Sequence, residues 1–78
     1  MPVSLYCLTC LNENRYYFVM DAPFPDNYVY GNLGSSEREE FMAYFAAHCL
    51  ASQPGTNFAL QNSKGENDVV TQIEDGIN

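Results

Sequence analysis

Cys7-Leu8-Thr9-Cys10 is the one stretch whose residue types and spacing match a known chemical pattern, two thiols separated by two residues. Such a pair serves either zinc binding or thiol–disulfide exchange. Zinc requires four ligands, and the further candidates, His48 and Cys49, are neighbours on one expected helix, where successive side chains point about 100° apart. A redox pair opens a helix that follows a strand, whereas this pair lies within a run of strand formers, which sends positions 7 and 10 to opposite faces. A CxxC zinc or redox protein is therefore a minor alternative. The three cysteines read as buried or half-buried free thiols, and no metal or cofactor is expected.

His48 is the only histidine, so any histidine-based proton transfer would have to use it. Cys49 adjoins it in sequence without facing it. Carboxylates are abundant, and hydrolysis needs only two of them about 5–10 Å apart across a cleft. A chain of 78 residues, however, has difficulty enclosing a cleft of the several hundred Å³ that small-molecule sites occupy. Glycine-rich phosphate loops, a Ser-His-Asp set and an Asp-x-Asp-x-Asp-Gly loop are all missing from the sequence. The chain reads as non-catalytic.

The elements that position these residues follow from pattern. Residues 3–11 and 15–22 are rich in strand formers and joined by the polar Asn12-Glu13-Asn14, which reads as an N-terminal β-hairpin. Tyr6, Leu8 and Cys10 alternate with Val3, Leu5, Cys7 and Leu11; Tyr16, Phe18 and Met20 alternate with Arg15, Tyr17 and Val19. Both faces are thus partly apolar. Pro23 and Pro25 make residues 22–27 a loop, since proline fixes φ and cannot donate to a ladder. A short strand is expected at 28–30.

One helix is expected over about 36–51, opened by a Ser36-x-x-Glu39 capping box and closed before Pro54-Gly55. Phe41, Met42, Phe45 and Cys49 fall on one of its arcs. Residues 57–62 read as a strand, 63–67 as a turn, and 68–75 as a last strand, although Val69, Val70 and Ile73 also fit one amphipathic helical turn. The sum is a single α+β domain over 1–78, an antiparallel sheet of four or five strands with one helix packed on one face.

Charge then selects among functions. Ten acidic side chains face three basic ones, a net charge of −7. Such a chain is repelled by nucleic acid and by anionic membrane, and no basic cluster is present to displace counterions. The N-terminal apolar run has no basic residue ahead of it and is not read as a signal peptide, nor does any stretch approach the roughly 20 apolar residues of a membrane span. Cytoplasmic residence is the expectation. A folded chain of this size exposes on the order of 4,800 Å², about one net charge per 700 Å² if evenly spread, so electrostatic recognition requires clustering. Glu37, Glu39 and Glu40 cluster within four residues, Glu66 and Asp68 flank one turn, and Asp21 and Asp26 bracket the proline loop.

Six tyrosines and five phenylalanines are more large side chains than so thin a core needs, and tyrosine suits protein interfaces. The leading expectation is an acidic inhibitor or binding protein that occupies a basic, nucleic-acid-binding surface of a larger protein complex, with DNA mimicry as one route. Asp21, Asp26, Glu37, Glu39, Glu40, Glu66 and Asp68 are its candidate contacts, and Phe24, Tyr28 and Tyr30 its anchors. In size, acidity and lack of catalytic motifs the chain resembles small phage-encoded anti-restriction and anti-CRISPR proteins. The resemblance carries over no functional residue; it implies binding without turnover to a nuclease or surveillance complex in a host cytoplasm. The alternative is an assembly module or homodimer that uses the second, tyrosine-bearing sheet face.

Overall fold

The computed structural model describes residues 3–24, 28–63 and 67–77. Strand-forming runs give β1 (Val3–Thr9) and β2 (Arg15–Met20), paired antiparallel from Ser4 opposite Met20 to Thr9 opposite Arg15. β3 (Tyr28–Val29) is short and passes into a 3-10 turn at Tyr30–Asn32, where a strand residue was expected at 30. Helix α1 (Ser35–His48) and strand β4 (Cys49–Ser52) follow, then helix α2 (Thr56–Asn62) and strand β5 (Val69–Ile77). The result is a mixed α+β fold around a five-stranded antiparallel sheet of order β3-β5-β1-β2-β4. No helix among the described residues is long and apolar enough to cross a membrane.

Tyr6, Leu8, Phe18, Met20 and Val70 project from one face of the sheet and are buried against Phe41 and Phe45 of α1, Leu60 of α2 and Tyr30. Both helices therefore cover the same face. Cys7 is buried as well but lies outside that cluster, because alternation along β1 turns it to the other side. The total accessible surface is 4850 Å², close to what size alone implies.

Three features of the helices differ from the sequence reading. α1 begins at Ser35 with Gly34 at its N-cap and no side-chain cap bond, so the Ser36–Glu39 box is not the cap. It ends at His48 rather than 51 because the outer edge of β2 takes residues 49–52 as a ladder partner: Met20 faces Cys49, Val19 faces Ala51 and Phe18 faces Ser52. Residues 57–62 form a helix, not a strand. Gly55, at φ 89°, supplies the left-handed turn that starts it, and Thr56, Ala59, Leu60 and Ser63 then make an inward stripe at helical spacing. The polar ends of that stripe hid it, while the alternation of Phe58 and Leu60 imitated a strand; Phe58 is in fact exposed.

Candidate functional site

Pro23 has no N–H to offer a ladder, so the chain leaves β2 and crosses toward α1. Two hydrogen bonds hold the crossing: the Phe24 N–H donates to the Tyr6 hydroxyl at 3.0 Å, and the Tyr44 hydroxyl donates to the Pro23 carbonyl at 3.0 Å. The Phe24 ring then stacks on Phe41 with centroids 5.1 Å apart, and lies 5.1 Å from Tyr44 and 6.0 Å from Tyr28. Tyr28, supplied by β3, also stacks on Phe41, at 5.3 Å. Between these rings runs a groove of about 320 Å³, lined in addition by Glu37 and Glu40. Those two carboxylates are three residues apart, the spacing that places side chains on one helix face.

The electrostatics follow from this placement. Burial raises the Tyr28 phenol above the ordinary tyrosine range, and Glu37 and Glu40 raise it further. Tyr44 is raised by burial too, with smaller contributions from Tyr6 and Asp21. The one cation on α1 points elsewhere. Arg38 donates to the carbonyls of Gly31 at 2.9 Å and Ser63 at 3.3 Å, and its guanidinium sits 5.4 Å from the Tyr30 ring centre. Among the described residues the only side-chain contact of a basic group with a carboxylate is that of His48 with Asp21, Nδ1 to Oδ1 at 3.0 Å, so Glu37, Glu39 and Glu40 have no cationic partner among them. Aromatic faces beside unpaired carboxylates attract an ammonium or guanidinium, by the ring quadrupole on one side and charge-assisted hydrogen bonds on the other.

The structure thus brings four of the expected contact residues together: Phe24, Tyr28, Glu37 and Glu40. Glu39 is exposed on α1 but does not line the groove. Asp21 is next to His48, at the far end of α1 from Glu37, and the His48 ring lies tilted against Tyr44 with centroids 4.5 Å apart. Tyr30 and Asp68 lie in the interior rather than at a partner surface. Tyr30 is 2% exposed and its hydroxyl donates to the Leu60 carbonyl at 2.6 Å. Asp68 is 1% exposed and its Oδ1 accepts the Leu11 N–H at 2.7 Å, fixing the end of the hairpin. Asp26 and Glu66 lie outside the described residues. The remaining carboxylates occupy separate places: Glu13 in the hairpin loop, Glu74 and Asp75 on β5. Tyr44 was missed as a groove residue, although its position three and four residues after Phe41 and Glu40 is a legible signal.

A larger concavity, about 530 Å³, separates the hairpin loop from α2 and includes Cys10, Tyr16, Phe58 and Asp68 in its lining. Burial raises the Cys10 pKa, with Asp68 and Cys7 adding to the effect, which favours the thiol over the thiolate. Cys49 is raised by burial as well, against opposing hydrogen bonds. Cys7 sits 3.7 Å, Sγ to Oγ1, from the Thr9 hydroxyl. No group of three or more metal-ligating side chains comes together among the described residues. No family model, curated protein or solved structure matches this chain.

Proposed function

We propose that this chain is a non-catalytic binding protein whose acidic, aromatic groove receives a cationic side chain from the basic surface of a partner protein. One observation carries the reading. Glu37 and Glu40, unpaired among the described residues, converge with Phe24, Tyr28 and Tyr44, while the helix's own Arg38 is committed to carbonyls elsewhere. With seven net negative charges steering approach, the partner class this suits best is a protein whose arginines normally hold nucleic acid. Occupying those arginines would inhibit it, by a local contact rather than by a long row of phosphate-like charges.

The test uses an arginine-rich peptide holding a labelled oligonucleotide. The chain should release the oligonucleotide at low salt and lose that ability as salt rises. Glu37→Lys with Glu40→Lys should weaken release at least tenfold. Glu13→Lys with Glu39→Lys changes net charge equally but lies off the groove, and should have a much smaller effect. Equal effects of the two pairs would show a diffuse charge response and refute the groove; no release at any salt would refute the reading altogether.

A further inference from the structure

We infer that the sheet face opposite the helices is the seat of a second copy of this chain, which packs on it across a two-fold axis. Leu5 and Cys7 of β1, Tyr17 and Val19 of β2 and Thr71 of β5 share that face by register, and neither helix contributes to it. Leu5 and Val19 are only half-buried, and Tyr17 is 41% exposed. An uncovered apolar sheet face in a small domain marks an interaction surface.

The charges identify the occupant. Arg15 pairs with Thr9 at one end of the face, and Glu74 pairs with Leu5 toward the other, so among the described residues the face carries one charge of each sign at opposite ends. It is electrically balanced in a molecule of net charge −7, which lets a like-charged copy approach there without local repulsion. The two positions are four residues apart along β1 and separated laterally by two strand spacings, about 13 Å by about 10 Å. A two-fold axis lying in the plane of the face, perpendicular to the line joining them, sets Arg15 of each copy over Glu74 of the other. Such an isologous contact is self-complementary by construction.

Area sets the strength. β1, β2 and β5 run for 7, 6 and 9 residues but β3 and β4 for only 2 and 4, so at about 3.3 Å per residue and about 4.8 Å between strands the face offers roughly 440 Å² per copy, under about 900 Å² in all, below the usual size of a specific interface. The dimer should therefore be weak and concentration-dependent.

Sedimentation equilibrium on the intact chain tests this. From low micromolar to about 1 mM protein, a range that spans weak dissociation constants, the mass should rise from that of one chain toward two. Arg15→Glu sets like charges opposite each other and should weaken association at least fivefold, as should Glu74→Arg. The double variant should restore it, and Tyr17→Lys should abolish it. A monomer throughout the range overturns the inference. So does association that Tyr17→Lys leaves intact, or single charge reversals that the double variant fails to rescue. Circular dichroism of each variant separates misfolding from loss of contact; should Tyr17→Lys misfold, the charge swap decides by itself.

Discussion

Tyr30→Phe isolates one hydrogen bond on which the second helix depends. The Leu60 carbonyl belongs to the last turn of α2, where no following helical N–H is available to it. The Tyr30 hydroxyl fills that role at 2.6 Å from a residue 2% exposed, while Leu60 itself is fully buried. Phenylalanine keeps the ring, its edge contact with Phe41 at 4.9 Å and its stacking under Arg38, so the substitution removes the donor and little else. A buried carbonyl left without a partner costs about 1–3 kcal/mol. A domain of this length holds about 4–12 kcal/mol of net stability, so the loss is a substantial fraction of the whole. For a chain this short a 2 kcal/mol loss corresponds to a melting temperature lower by about 8–16 °C. Urea unfolding followed by circular dichroism measures it, with the midpoint moved and the slope preserved. Tyr17→Phe, an exposed tyrosine on the open face, is the control and should change stability by less than about 0.5 kcal/mol. A Tyr30→Phe effect as small as the control would mean that the hydroxyl does not cap α2. Release of oligonucleotide from the arginine-rich peptide should be unchanged in Tyr30→Phe, since Tyr30 lies inside the fold and not in the groove.

Gly55→Ala should destabilise by about 1 kcal/mol even though a Cβ there meets nothing within 4 Å, because φ of 89° is strained for any side chain; an unchanged urea midpoint would contradict this. Alkaline pH should destabilise the protein. Tyr28, Tyr30 and Tyr44 are all raised by burial, the first also by Glu37 and Glu40, so the folded chain keeps protons that the unfolded chain begins to release near pH 10. Their contribution is complete below that pH and is lost as pH climbs through the raised values. The melting temperature should fall progressively from pH 9 to 11, about the tyrosine range, and a flat profile would refute the assignment. Glu37→Gln with Glu40→Gln should move the Tyr28 titration, followed by phenolate absorbance, back toward the ordinary range.

The hairpin, α1 and β5 were legible because each is specified by neighbours in sequence. Strand alternation over Tyr6–Leu8 and Tyr16–Met20 selects the inward face, and Phe41 and Phe45 recur at helical spacing. β4 and α2 were not legible, because their states depend on distant residues. Leu50 and Ala51 favour a helix locally, yet the free edge of β2 recruits their segment as a strand; Asn57–Asn62 alternates like a strand, yet the space over the sheet fits Leu60 from a helix.

The same division governs the site. Composition alone established an acidic chain rich in aromatic residues. Which acids and rings meet was decided by packing. Tyr30 and Asp68 look in sequence like Tyr28 and Glu37, but the turn after β3 and the end of the hairpin draw them inward to satisfy buried backbone groups. Glu37 and Glu40 stay outside because helix α1 presents them to the groove, where Phe24 and Tyr28 arrive from other parts of the chain. A side chain's type fixes what it can bind, and only the three-dimensional path of the backbone fixes whether it remains free to do so.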